Sequence, residues 1–260
     1  MDILTAVILG IMQGITEWLP ISSEGQTMLF MLNHLGIEPH AALSYAIFLH
    51  VGTTLAVLVR FRREYLGILQ NLQPDFRLTR ILIGATLCTA VTAVPLYFLL
   101  KGALLGVDVA PVNLLIGMML IATGILLKTS VWSGTKEIDQ ITDRDIAVLG
   151  FAQGFAIIPG ISRSGITLAA LLGGRVKQEA ALAVSFLISV PAVIGAVVLD
   201  FEGIQQIQVQ SAGILIVSSF AAGYLTMDLL LKYSRRISFW SFCVIVGVVL
   251  IAAGLISLLW

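Results

Sequence analysis

Glu17, Ser22, Ser23 and Glu24 crowd into one short stretch of an otherwise apolar chain, and Ser162, Arg163 and Ser164 form a second polar knot far along it. A guanidinium ringed by serines suits an anionic group such as phosphate, because its planar fork donates parallel hydrogen bonds to oxyanions. Gly25 and Gly165 allow backbone N–H groups to approach such a ligand, and a following helix N-terminus favours negative charge. The competing reading is structural. Glu17 or Glu24 facing Arg163 would be an ion pair stapling two segments, since a charge at membrane depth needs a partner. Single serines in a membrane serve as readily in helix packing.

The two knots are copies. Leu9-Gly10-Ile11-Met12-Gln13-Gly14 returns as Leu149-Gly150-Phe151-Ala152-Gln153-Gly154, and Ile21-Ser22-Ser23-Glu24-Gly25-Gln26-Thr27 returns as Ile161-Ser162-Arg163-Ser164-Gly165-Ile166-Thr167, both at an offset of 140 positions. Each copy carries a proline in its middle, Pro20 and Pro159. Helix breakers and charges are costly inside a bilayer. Their presence at matched positions implies two half-sites that make one site, the sequence sign of a membrane site at a repeat interface.

The elements that must position these residues are helical and membrane-embedded. Hydrophobic residues make up 58% and charged residues 12% of the chain, against about 25% charged in soluble domains. The short alternating segments of a β-barrel are absent. A formal net charge of zero leaves no electrostatic footprint for nucleic acid. Cys88 and Cys243 lie in apolar runs and read as inert packing, and the N-terminus lacks the features of a removable signal peptide. Six stretches, near 41–60, 79–100, 111–128, 180–200, 210–231 and 238–260, approach the roughly 20 residues that a spanning helix needs. Two further apolar regions are broken: Ile3 to Gly36 around Glu17–Gly25, and Ile146 to Gly174 around Pro159–Gly165. Their halves suit re-entrant helical hairpins, whose irregular backbone is tolerated only when buried in protein or lining a cavity.

Thirteen Lys and Arg residues, from Arg60, Arg62, Arg63, Arg77 and Arg80 through Lys128, Lys136, Arg144, Arg175 and Lys177 to Lys232, Arg235 and Arg236, fall on one side if both hairpins re-enter, and only Lys101 falls on the other. The positive-inside rule then places both termini outside. Full crossing by each hairpin would give ten crossings without changing these sides. Three spans separate the two motifs, so the halves are expected to be inverted repeats with tips meeting near the midplane. The expected fold is therefore an all-α integral membrane protein, one domain over 1–260. It comprises six transmembrane helices and two re-entrant hairpins, with repeat one at about 1–128 and repeat two at about 140–260.

His50, inside the first span, is a site candidate or a hydrogen-bonded helix contact. Asp228 is read as solvated, Trp132, Trp240 and Trp260 as interfacial, Trp18 as packing or pocket lining, and His34 and His40 receive no role.

Gly14-Ile15-Thr16-Glu17-Trp18-Leu19-Pro20-Ile21-Ser22-Ser23-Glu24-Gly25 and Pro159-Gly160-Ile161-Ser162-Arg163-Ser164-Gly165-Ile166-Thr167 resemble the two signatures of undecaprenyl pyrophosphate phosphatases of the bacitracin-resistance type. Similarity extends through His50-Val51-Gly52-Thr53, Phe186-Leu187-Ile188-Ser189-Val190-Pro191 and Arg236-Ile237-Ser238-Phe239. The resemblance implies six spans with two re-entrant hairpins, a divalent cation (Mg²⁺ or Ca²⁺), and removal of one phosphate from a C55 diphosphate to regenerate the lipid carrier of cell-wall synthesis. Two positions depart from the pattern. Gln13 stands where the family usually has glutamate, and Gln26 where it usually has a histidine proposed as nucleophile or base. An amide cannot take a proton from water or a serine.

The expected function is a polyprenyl diphosphate phosphatase in the plasma membrane. Arg163 clamps the diphosphate. Glu17, with Glu24 as a second candidate, holds the cation. Ser23 is the nucleophile or a phosphate ligand. Glu17, Glu24 or His50 is the base. Gln13, Ser22, Gly25, Gln26, Ser162, Ser164, Gly165 and Thr167 complete the substrate contacts. Expected partners are the polyprenyl diphosphate and the membrane, not nucleic acid; a homodimer is compatible with the sequence. The alternative is a non-catalytic polyprenyl-phosphate transporter or flippase, since inverted repeats with broken segments are common among transporters.

Overall fold

A computed structural model describes residues 1–71, 76–129, 134–234 and 239–259. Trp132, Arg235, Arg236, Ile237, Ser238 and Trp260 lie outside them. In chain order the helices are α1 (Ile3–Thr16), α2 (Ser23–His34), α3 (Pro39–Arg60), α4 (Arg62–Gln70), α5 (Arg77–Leu104), α6 (Val109–Thr129), α7 (Asp143–Gly154), α8 (Arg163–Gly173), α9 (Gln178–Leu199), α10 (Phe201–Ile204), α11 (Val209–Ser234) and α12 (Phe239–Leu259). Six of them, α3, α5, α6, α9, α11 and α12, are long and apolar enough to cross a bilayer. They coincide with the six expected spans. Residues Ile83, Leu87 and Val91 on α5 and Leu225 on α11 stand exposed, Leu225 at 77%, as a lipid-facing surface requires. The protein is a multi-pass helical membrane protein.

Both broken regions are broken where expected, and each break is built the same way. α1 stops at Thr16, and α2 restarts at an Ser22 N-cap whose hydroxyl accepts from Gly25 N at 3.2 Å. α7 stops at Gly154, passes through a 3₁₀ turn at Phe155–Ile157, and α8 restarts at a Ser162 N-cap that accepts from Gly165 N at 3.1 Å. The proline between them cannot continue a helix, and the serine satisfies a donor at the next helix start.

The halves pack reciprocally. α1 lies on α11 and α7 lies on α5. In both cases the repeated glycines allow the approach. A Cβ on Gly14 would meet Ala222 Cβ and Gly223 N at 2.6 Å, and one on Gly150 would meet Cys88 Cβ at 2.5 Å. Threonines seal both contacts, Thr226 donating to Gly14 O at 3.3 Å and Thr89 to Gly150 O at 3.0 Å. α6 crosses α12 at Gly117 and Gly247, each against the other's carbonyl. Such close approach of small residues lets dispersion and polar contacts hold helices together in lipid.

One helix runs past the end of its expected span near residue 100. α5 runs through Lys101 to Leu104, because Lys101 Nζ finds Asp200 Oδ1 at 2.6 Å and Tyr97 Oη at 2.9 Å. Asp228 is exposed and pairs with Arg60 at 3.2 Å. Trp18 is packing: its indole is 2% exposed, donates to Gly223 O at 3.0 Å and meets Phe186 edge-on. Cys88 and Cys243 are free thiols.

The glycine crossings generate a stability prediction. Gly14→Ala should destabilise the fold by about 1–3 kcal/mol through overpacking. Gly213→Ala, on the same α11 but facing open space, should not. Thermal unfolding of both variants in detergent checks this, and equal melting temperatures would contradict the crossing.

Candidate active site

The two breaks meet. Gly160 N donates to Ser22 Oγ across the halves at 3.1 Å, and a Cβ on Gly25 would stand 3.0 Å from Gly160 N. Gly160 takes φ +99° and Ser22 φ +59°. The first is easy for glycine. The second is strained for serine, at a cost of order 1–3 kcal/mol, and persists only where the surroundings over-determine it. Here the two N–H groups on Ser22 Oγ do so. Thr123 of α6 braces the second loop, donating to Gly160 O at 3.0 Å and accepting from Ser162 N at 3.2 Å.

Glu17 lies at the centre of this junction, 6% exposed at the end of α1. Its Oε1 accepts from Arg163 Nη2 at 2.5 Å. Its Oε2 accepts from Ser23 Oγ at 2.6 Å and Gln13 Nε2 at 2.9 Å, and faces His50 Nε2 at 3.2 Å. Four elements thus deliver a donor to one carboxylate. The other nitrogen of the His50 ring, Nδ1, sits 2.7 Å from Ala46 O. Both ring nitrogens face oxygen acceptors, which only the doubly protonated ring satisfies. Arg163 is aimed by Ser185 O at 3.1 Å, and Thr167, bonded to Arg163 O and to Ser185 Oγ at 2.7 Å, ties the two together.

Further along α9, Pro191 has no N–H for the carbonyl of Leu187. Tyr65 from α4 supplies the missing donor, Oη to Leu187 O at 2.6 Å. Gln153, the repeat mate of Gln13, reaches Thr89 at 3.0 Å and lies near Ile188 O.

Two spaces share Glu24, His50 and Arg163 as walls. A polar pocket of ≈ 20 Å³ is lined by Glu17, Ser22, Ser23, Glu24, His50, Ser162, Arg163 and Ser164, with Leu19 and Ile161. That is room for about one water. Glu24, His50 and Arg163 also wall a larger cavity of ≈ 340 Å³, otherwise lined mainly by apolar side chains of α5 and α9. Glu24 Oε1 is buried there without a hydrogen-bond partner among the described residues.

The structure therefore brings together Glu17, Ser22, Ser23, Glu24, His50, Ser162, Arg163 and Ser164, with Gln13 behind Glu17 and Gly25 and Gly165 at the close approaches. Two expected substrate contacts fall elsewhere. Gln26 is two residues past Glu24, which turns it about 160° around α2. Its amide bonds Ile21 O at 3.2 Å and lines a separate cavity of ≈ 500 Å³ with Asn33, His34 and Asn113. Thr167 is fully buried behind Arg163 and positions it. Tyr65, Thr123, Gln153 and Ser185 were not singled out from the sequence; Gln153 was legible as Gln13's repeat mate, and Pro191 marks the freed carbonyl.

A divalent cation at Glu17 does not fit this donor set. Mg²⁺ and Ca²⁺ need six or more oxygen ligands at about 2.0–2.6 Å. Both oxygens of Glu17 already face hydrogen-bond donors, one of them a guanidinium. Among the described residues no three His, Cys, Asp or Glu side chains cluster as a metal site.

A buried carboxylate–guanidinium–serine–imidazole centre, assembled at the meeting of two repeated loops, defines a class of multi-pass membrane proteins. The chain belongs to the bacitracin resistance protein BacA family, whose sequence model matches residues 6–252. It is 51% identical, over 97% of both chains, to the undecaprenyl-diphosphatase of Methanothrix thermoacetophila. It is 40% identical to that of Methanopyrus kandleri over 95% of this chain and 94% of the relative. It is 36% identical to that of Haloarcula marismortui over 98% of each.

The centre yields a double-mutant prediction. Glu17→Gln leaves Arg163 buried without its anion and should cost about 3–5 kcal/mol. Adding Arg163→Met should recover part of that loss, which thermal unfolding of the two single variants and the double variant would reveal. Additive losses would contradict the pair.

Proposed function

We propose that the protein is an undecaprenyl (polyprenyl) diphosphate phosphatase of the plasma membrane, releasing inorganic phosphate and regenerating the monophosphate carrier lipid for cell-envelope synthesis. The carrying observation is the 2.6 Å hydrogen bond from Ser23 Oγ to Glu17 Oε2, with Arg163 on the other carboxylate oxygen. This is the nucleophile, base and charge stabiliser that phosphoryl transfer needs in one place. The names of the relatives support the substrate class.

In this reading the diphosphate stands where Glu24, His50 and Arg163 face the larger cavity, its terminal phosphate at the polar pocket, and its isoprenoid end lies along the apolar part of that cavity between α5 and α9. Arg163 swings part of its fork from Glu17 to the terminal phosphate. The first-turn N–H groups of α2 and α8, which lack helical partners, add donors for phosphate oxygens. Ser23 Oγ attacks the terminal phosphorus as Glu17 takes its proton, and the polyprenyl monophosphate leaves. Glu24, which lines the cavity and whose Oε1 is buried without a partner among the described residues, activates the water that attacks the phosphoserine; inorganic phosphate leaves and Glu17 returns its proton to Ser23 Oγ. His50, with both nitrogens engaged, acts as a donor and positive charge rather than as a base. No step passes through a metal.

The reading includes the topology. At 14 and 12 residues, α1 and α7 fall short of the roughly 20 needed to span, which supports two re-entrant hairpins. The reciprocal contacts of α1 with α11 and α7 with α5 support an inverted repeat within a single domain of 260 residues. That same symmetry favours the second reading, a polyprenyl-phosphate transporter.

Purified protein given a C55 or C15 diphosphate should release inorganic phosphate. Silence across a wide pH range would replace the enzyme with the transporter. Arg163→Lys should lose about 10²–10³ in turnover, since the charge remains but the fork does not. Full turnover by a folded Arg163→Lys protein would remove the clamp. Gln26→His should leave turnover unchanged, because the side chain points into the other cavity; a marked gain would return that position to the site.

A further inference from the structure

The cation that the family resemblance implies meets, in this chain, a carboxylate with no room for it. Glu17 Oε2 receives Ser23 at 2.6 Å and Gln13 at 2.9 Å and faces His50 at 3.2 Å, while Oε1 receives Arg163 at 2.5 Å. An ion there would have to displace the guanidinium or sit within a few ångströms of it, and like charges repel strongly in a low-dielectric interior. Gln13 is decisive because of which atom it turns to Glu17. Its amide nitrogen donates to the carboxylate, where an acidic side chain at the same position would have no proton to give and would offer ligand oxygens instead. The remaining oxygen, Gln13 Oε1, is buried without a partner and lines neither the polar pocket nor the cavity beside it. It therefore cannot share an ion with Glu24, whose Oε1 is also buried without a partner among the described residues and whose side chain lines both.

Positive charge is nevertheless present. Arg163 reaches Glu17 from α8, and the His50 ring, set between Ala46 O and Glu17, reaches it from α3. Both side chains line the pocket where a phosphate would sit. We propose that this centre works without a protein-bound divalent cation. Arg163 and His50 supply the charge that stabilises the transferring phosphoryl group, and Gln13 is the residue that fixes this metal independence. The proposal rests on the phosphatase reading above.

Two measurements separate the inference from that reading. Mn²⁺ titration of the purified full-length protein in detergent, followed by electron paramagnetic resonance without any lipid substrate, needs no activity. Wild-type protein should show no saturable site, and Gln13→Glu should gain one ion per chain. A saturable single site in wild-type protein would overturn the proposal, even if no phosphate release is ever seen. A folded Gln13→Glu protein that binds no Mn²⁺ would overturn the assignment to Gln13. In the activity arm, EDTA should leave wild-type phosphate release within about twofold, whereas removal of a charge-stabilising group costs about 10²–10³. A loss of that size restored by Mg²⁺ would equally overturn it.

Discussion

A carboxylate removed from water is expensive unless its partners arrive with it, and Glu17 is such a group at the meeting point of two halves of one chain. Gln13 reaches it from the preceding turn of α1, Ser23 from the start of α2, His50 from the middle of α3 and Arg163 from the start of α8. If any one of these elements shifted, a buried charge would lose a partner. The end of α1 and the starts of α2 and α8 are where the chain delivers Glu17, Ser23 and Arg163 to one another. The same arrangement makes it reactive, for a carboxylate held as an anion beside a serine hydroxyl is already placed to take its proton.

The helices around the centre hold it by close backbone approach rather than by bulk. Glycines on α1 and α7 admit α11 and α5, and threonines donate across those contacts. Such crossings fix how deep each break sits, and therefore whether Ser22 and Gly160 can meet. The strained backbone of Ser22 is the local cost of that meeting, held in place by two amide donors.

Much of this was legible in the sequence. Span lengths follow from continuous apolar runs, and the breaks follow from prolines set among serines, glycines and charges at matched positions of the repeat. A partnership of Arg163 with Glu17 or Glu24 follows from the scarcity of charge at membrane depth, and the structure gives it to Glu17. What escaped was direction. Gln26 looked like a member of the same motif as Glu24, but two residues of helix turn it away from that carboxylate and into a separate cavity. Tyr65 is an ordinary residue until Pro191 frees the carbonyl of Leu187, and Ser185 until Arg163 is placed against it, and both are visible only once α4 and α8 stand beside α9. The span expected near 79–100 extends to Leu104, its Lys101 held by Asp200, a partner distant in sequence.

The central claim is that Ser23, activated by Glu17 and faced by Arg163 from the other half, attacks the terminal phosphate. Acid-quenching the protein during turnover of a polyprenyl diphosphate labelled with ³²P in its terminal phosphate, followed by peptide mapping, tests it most directly. The account predicts acid-stable label on Ser23. Label on another residue, or rapid phosphate release with no labelled protein at any quench time, would contradict it.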